Sequence, residues 1–440
     1  MATATEVLPA ATGQEVQGRW RPDVSGWIAR LTVLGLIFGV LVWRLMTVSQ
    51  LWADHIATAA VFAVIGLSLN IVLGYTGQVS LGHHAFVGLG AFLSAYWVTE
   101  RSGCTPEAGC ANAPMGAFLT GIFVAILSGL IAAGILGMIA LRIKGLYLAL
   151  ITLTYGFVAV NSLFEIPFLT RGGAGMPAPR PLPLATDRAY MWFCIGAVAV
   201  CLIIDWRLLA SKAGRAILAV KESEAVAATY AINVTVYKLM AFMLSGAFAG
   251  LAGALFAYRR QIVVAVDFSF ATALVWVLMV VVGGLGSRLG VVIGSAFFAL
   301  FAFLVALIGP LEDFVHETLN RDAEELVLVI GPLLALFTMI SFPGGIAEQI
   351  SPITRWLGGE KFSMHPEGKQ KKPHVGLLVK LGIKKPKHEA APEAALEGPK
   401  GSAELLGGTS RPSLSGTDKN LAFVEAEERS AHGGTSGEAG

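Results

Sequence analysis

From Trp27 to Phe342 the chain returns repeatedly to apolar text in runs of roughly 20 residues, the helix length that crosses a hydrocarbon core. About ten runs meet that length criterion. They are Trp27 to Met46, Ala53 to Leu73, His83 to Val98, Met115 to Leu141, Tyr147 to Leu169, Ala189 to Trp206, Tyr237 to Tyr258, Ala271 to Val282, Leu289 to Gly309 and Glu325 to Phe342. In lipid, every backbone polar group must be satisfied within the protein, so these runs are expected to be helices. The fold class is therefore all-α integral membrane, with about ten transmembrane or re-entrant helices, the short third and eighth runs being the candidates for re-entry. Composition agrees: 55% of the 440 residues are hydrophobic and only 14% are charged, too few to solvate a globular surface of this size.

A net charge of +2 gives no argument for a nucleic-acid partner, so placement matters more than sum. Arg19 and Arg21 precede the first run and favour a cytoplasmic start, and no signal peptide is expected because residues 1–18 lack an apolar core. With ten crossings both termini are cytoplasmic, and every lysine, from Lys144 through Lys212, Lys221 and Lys238 to the tail, falls inside. The outer loops nevertheless hold Arg171, Arg180, Arg188, Arg259 and Arg260, so the bias is imperfect. The expected organisation is a cytoplasmic segment over 1–26, a membrane domain over 27–345 with a cytoplasmic segment at 207–236, and a polar, disordered tail over 346–440. The basic part of that tail, Lys361 to Lys387, is suited to anionic lipid headgroups. Cys104 and Cys110 fall in an outer loop, where an oxidising periplasm permits a small-loop disulfide. Cys194 and Cys201, within an apolar run, read as packing residues.

Several chemistries lack their residues. No phosphate-binding Gly-x-x-x-x-Gly-Lys-Ser/Thr loop occurs, so nucleotide hydrolysis, if it drives this protein, belongs to another polypeptide. Metal-ligand spacing is also missing: the adjacent His83 and His84 point to different faces of a helix. The chain reads as neither an enzyme nor the holder of a metal or cofactor.

Two glycine-rich interruptions carry the chemistry. Asn70 to His83 (Asn-Ile-Val-Leu-Gly-Tyr-Thr-Gly-Gln-Val-Ser-Leu-Gly-His) is expected to break its helix at Gly74, Gly77 and Gly82, and broken backbone in a membrane must be buried in protein or line a wet cavity. Asn70, Tyr75, Gln78, Ser80 and His83 are the pathway candidates, against the alternative of close helix packing through small residues. The second interruption, Gly283 to Gly290, adds Gly284 and Ser287, and two such breaks in two halves raise the possibility of an inverted repeat. The segment from Arg207 to Lys238 holds a short helix suited to docking a soluble motor, with Gly214, Arg215, Lys221, Glu222, Glu224 and Ala225 as coupling candidates and Ile217, Leu218 and Ala225 as its apolar stripe. An ordinary juxtamembrane loop is its equal alternative. Asn161 and Glu165, one turn apart, are further pathway candidates, with the outer boundary as the equal alternative for Glu165, and Asp205 reads as a boundary residue beside Arg207.

At these segments the chain resembles the permease subunits of branched-chain amino acid ABC transporters, the LivM-like class. The resemblance is carried by Leu69-Asn70, Gly74 to His83, Leu141 to Tyr147, Leu169 to Gly173 with Gly175, Gly214-Arg215-Ala216, Ile232 to Thr235 with Tyr237-Lys238, Ala249 to Gly253, Gly283 to Ser287 with Gly290, and Phe342-Pro343. It implies an inner-membrane subunit of an importer of leucine, isoleucine and valine, in a heterodimer with a second permease subunit. It also implies two cytoplasmic ATPase subunits holding ATP and Mg, and a periplasmic solute-binding protein. Gly214 to Ala231 is then the coupling segment, with Glu224-Ala225 as its acidic docking signature. The chain departs from the family at Ala231, where glycine is usual, at His84, where a small residue is usual, and at Gly344, where arginine is usual. Permeases for urea or short amides resemble these closely. A channel or ion-coupled carrier is disfavoured by the scarcity of intramembrane carboxylates.

Overall fold

The computed structural model describes residues 42–102, 113–141, 146–167, 175–307 and 345–357, with Thr32, Gly35, Leu36, Gly39, Val40 and Leu333, and all of these belong to one compact unit, Met1–Lys380. The described part is helical: α1 (Gln50–Leu69, continued by a π turn, Asn70–Tyr75), α2 (His83–Arg101), α3 (Met115–Ala140), α4 (Leu146–Asn161), α5 (Asp187–Ala210), α6 (Lys212–Glu222), α7 (Glu224–Thr229), α8 (Val234–Arg260), α9 (Phe270–Gly283), α10 (Arg288–Leu307) and α11 (Gly345–Leu357). Two-residue strands, β1 (Met176–Pro177) and β2 (Ile262–Val263), pair antiparallel with Met176 opposite Val263. Polar residues set many of the helix starts: Thr186, Ser211, Ser223, Asn233 and Ser269 each accept a backbone N–H of the first turn of α5, α6, α7, α8 and α9.

Among the described residues five segments are long and apolar enough to cross a membrane: Gln50–Tyr75, Met115–Ala140, Tyr147–Glu165, Asp187–Ala210 and Val234–Arg260. The expected count of about ten is not reached there. The run ending at Phe342 lies outside the described residues except for Leu333, and half of the run from Trp27 does too. α9, with 14 residues, is shorter than a full crossing. α1 and α8 are the central helices, largely buried, while α3 and α5 turn apolar faces outward through Leu119, Phe123, Leu127, Ile131, Val200 and Ile203. Such exposure is what a lipid-facing helix requires.

α8 packs on α3, α2 and α1, and glycines set how closely. A Cβ on Gly129 of α3 would strike the Gly246 carbonyl of α8, and one on Gly90 of α2 would come within 2.6 Å of the Gly250 Cα. At one end of this bundle lies a collar of arginines. Arg180, only 5% exposed, donates to the carbonyls of Tyr258 (2.6 Å) and Arg259 (3.0 Å), pairs with Asp187 at 2.7 Å and covers the Tyr190 ring. Arg259 forks onto both oxygens of Asp54 at 3.1 and 2.6 Å, and Arg260 pairs with Asp267 at 3.0 Å. Arg180, Arg259 and Arg260, three of the arginines that broke the lysine pattern in the sequence, are thus structural ties between helix ends.

The sequence reading needs correction at two points here. The helix does not break at Gly74: it passes through the π turn to Tyr75, and the break, which holds Gly77 and Gly82, begins at Thr76. Ordered helix continues past residue 345 in α11, whose Gly345 and Ala347 lie against Gly284 and Gly290, so the expected tail does not begin at 346. Both glycine breaks lie at the same end of the bundle and touch through the Asn70–Gly286 hydrogen bond. Asn161 and Glu165 are exposed, which agrees with the boundary alternative for Glu165, and Asn161 donates back to the Phe157 carbonyl of its own helix.

Candidate functional site

The end of the bundle opposite the arginine collar gathers the last residues of α1, α5 and α9 and the first residues of α2, α8 and α10. The π turn that closes α1 aims the side chain of Asn70 across at the second break, where its Oδ1 accepts the Gly286 N–H at 2.8 Å. That approach depends on Gly74. A Cβ there would collide with Asn70 Oδ1 and stand 2.7 Å from the Gly286 nitrogen. The second break is a tight turn between α9 and α10 in which Gly284 (φ 106°) and Gly286 (φ 83°) take backbone conformations that side chains rarely adopt. Ser287 then accepts the Gly290 N–H at 3.2 Å and so starts α10.

After Tyr75 the first break is held by a few directed contacts. Thr76 Oγ1 and the Gln78 N–H both donate to the Val72 carbonyl, at 2.6 and 3.1 Å, and the Leu81 N–H donates to Thr152 Oγ1 of α4 at 3.1 Å. Restart of the helix at His83 is fixed by a buried polar chain. Ser245 of α8 donates to the Ser68 carbonyl at 2.7 Å, and Ser68 donates to the Ser245 carbonyl at 2.8 Å. With the Ser245 hydroxyl so oriented, His83 donates to it from Nε2 at 2.6 Å and accepts from Ser80 at Nδ1 at 2.8 Å. His84 turns the other way, against Gly156 of α4, as adjacent helix positions must.

Tyr75 donates to Asp205 Oδ2 at 2.9 Å, and Arg288 Nε pairs with the same oxygen at 3.2 Å. Asp205 is fully buried. It is therefore not a boundary residue. Its position under two apolar turns of α5 and the arginine directly after the second break were the available signals. Asp205, Arg288, Ser68, Ser245 and Thr152 were all missed by sequence reasoning.

The structure thus brings Asn70, Tyr75, Gln78, Ser80, His83, Gly284 and Ser287 to one junction. Asn70, Tyr75, Gln78, Ser80 and His83 are all buried. Asn70 Nδ2 and Gln78 Oε1 have no hydrogen-bond partner there, and each such buried atom costs about 1–3 kcal/mol.

Directly beneath lie α6 and α7. Lys221 of α6 reaches the first break, its Cγ 3.6 Å from where a Gly77 Cβ would stand. Arg215, Lys221, Glu222 and Ala225 are exposed and Gly214 is buried against the end of α5. Glu224 pairs with Lys238 of α8 at 2.5 Å. The expected apolar stripe is corrected at Ile217, which points inward, 2% exposed, with Ala216 and Val220, while Leu218 and Ala225 face outward with Val226 and Tyr230. Ala231 stands in the left-handed region (φ 58°), a conformation that explains glycine as the usual residue there. Cys104 and Cys110 lie outside the described residues, whereas Cys194 and Cys201 are buried free thiols. Among the described residues no group of three or more His, Cys, Asp or Glu side chains could hold a metal.

Residues 51–335 match the family described as branched-chain amino acid transport system / permease component. Over 387 residues the chain is 28% identical to the high-affinity branched-chain amino acid transport system permease protein LivM of Salmonella typhimurium, covering 80% of each chain. The protein of the same description from Escherichia coli is 27% identical over 386 residues, again with 80% of each covered. No solved structure matches the chain significantly.

Proposed function

The chain belongs to the family of branched-chain amino acid transport system permease components, multi-pass membrane proteins, and from that premise we propose that it is the membrane subunit of an ATP-driven importer of leucine, isoleucine and valine. The observation that carries this reading is the junction of the two broken segments over α6: Asn70 bonded to Gly286, with Lys221 against Gly77. A zwitterion crossing lipid needs its carboxylate and ammonium solvated and its aliphatic side chain accepted by an apolar wall. Helix ends and freed peptide groups do this without formal charge. In this reading Asn70, Tyr75, Gln78, Ser80, His83, Gly284 and Ser287 border the passage, and the unpaired Asn70 Nδ2 and Gln78 Oε1 meet the polar groups of the passing amino acid.

The partners follow from the same reading. A second permease subunit completes the passage, one of two cytoplasmic ATPases docks on Gly214 to Ala225, and a periplasmic binding protein delivers the substrate to the collar end. The site is a bacterial inner membrane, with both termini, 1–26 and the residues after 345, on the ATPase side. ATP and Mg belong to the ATPases and this chain performs no chemistry.

The test is reconstitution with the ATPase, second permease and binding-protein subunits in proteoliposomes. Labelled leucine is expected to accumulate only with ATP inside reach of the ATPases, and excess urea is expected not to compete. Solute movement by this chain alone without nucleotide would sink the reading.

A further inference from the structure

Asp205 occupies a position that the proposed function does not use. Its carboxylate, fully buried, takes donors from two other elements: the Tyr75 hydroxyl at 2.9 Å and Arg288 Nε at 3.2 Å. Its other oxygen, Oδ1, has no hydrogen-bond partner. Tyr75 is the last residue before the first break, and Arg288 is the first residue of α10 after the second. One carboxylate on a third helix therefore holds both breaks.

That third helix also carries α6. Ser211 ends α5 and caps α6, accepting the Gly214 N–H at 3.1 Å. Gly214 lies so close to α5 that a Cβ on it would strike the Leu208 carbonyl and stand 2.6 Å from the Leu209 Cα. The last turn of α5 and the first of α6 are thus packed to move together. Asp205 lies little more than a turn back from Ala210, within that rigid stretch.

We infer that Asp205 is the positioning residue that couples α6 to the passage: it clamps Tyr75 and Arg288, and displacement of α6 draws the carboxylate away and frees both breaks together. The inference rests on the proposed function and names a coupling residue within it. The carboxylate is fully buried while the Arg288 side chain is 30% exposed, and the attraction between them depends on how far water is kept from Asp205. A displacement that lets water reach Asp205 weakens its hold on Tyr75 and Arg288 together.

The experiment uses the full chain with its partner subunits in proteoliposomes, comparing wild type with Asp205→Asn, which keeps the shape and removes the charge. ATP hydrolysed per amino acid imported is expected to rise about tenfold, with undiminished recovery of the complex. Adding Arg288→Gln to Asp205→Asn is expected to worsen nothing, since the two groups act as one unit. A readout independent of transport uses Thr76→Cys, a buried position beside Tyr75, labelled by an impermeant maleimide from the α6 side in vesicles bearing the full chain. Asp205→Asn is expected to speed that labelling about tenfold over the Thr76→Cys parent.

An unchanged ratio of hydrolysis to import overturns the inference, whether or not labelling rises. So does a fall in uptake and hydrolysis together, in proportion to lost complex. Wild-type complex that imports no amino acid with ATP would instead sink the proposed function, and the labelling rates then decide the clamp alone.

Discussion

Gly74 shows how much can turn on one missing methyl group. Alanine there is expected to push the Asn70 side chain off Gly286 and separate the two breaks, since the added carbon would stand 2.7 Å from the Gly286 nitrogen. Uptake by Gly74→Ala should fall at least tenfold while ATPase co-purification persists, the loss of a directed buried contact being about 1–3 kcal/mol. Uptake equal to wild type would show that the contact is incidental. Ala231 presents the opposite case, a side chain where the backbone favours none. Ala231→Gly is expected to stabilise the chain by about 1 kcal/mol, seen as a higher thermal midpoint in detergent. At this scale the sequence showed the polar residues of the first break but not their partners. Ser245 is hidden in an apolar helix 177 residues from Ser68, and nothing local marks that hydroxyl as the end of the His83 chain. Asp205 failed for the same reason: its neighbour Arg207 offered a nearer and wrong partner, while the true one, Arg288, begins a helix on the far side of the junction.

For the helices, apolar periodicity was sufficient, because lipid forces any run of such length to be helical. What the runs could not show was where each helix yields. The π turn at Asn70–Tyr75 keeps backbone bonds closed while shifting the face, so polar text persists within a helix. The amphipathic reading of α6 likewise identified the helix but reversed one side, since Ile217 fits either a docking surface or the underside that packs on the bundle. A separation of roles follows for α6 and α7. Glu224 is tied to Lys238, so Glu224→Gln and Lys238→Met should lower ATPase association to a similar degree, with the double variant no worse than either single one. Lys221→Glu alters an exposed charge and should weaken association without lowering thermal stability. Association and stability falling together in Lys221→Glu would assign α6 a packing role alone. Both outcomes are read by co-purification of the ATPases alongside a melting curve.

Across the described residues, lysine is confined to one end of the bundle, although Arg215 and Arg288 stand there too. Arg180, Arg259 and Arg260 form one collar, each locked to a carboxylate, while Lys212, Lys221 and Lys238 lie at the opposite end, with α6 and the glycine junction. Arginine suits the collar because its planar fork satisfies several acceptors at once, as Arg180 does with two carbonyls and Asp187. Replacing Arg180 by Met would leave those carbonyls and the carboxylate without their donor, a loss of about 3 kcal/mol that should appear as a lower melting midpoint. Lysine retention on one side is an orientation signal, so the lysine end is expected in the cytoplasm. Single cysteines at Lys212 and at Val266, 72% exposed beside the collar, test this directly. An impermeant thiol reagent added to intact cells should label Val266→Cys only, and added to inverted vesicles should label Lys212→Cys only. Labelling of Lys212→Cys from outside would place α6 beyond the reach of any cytoplasmic motor, and with it would go the coupling proposed for the junction above.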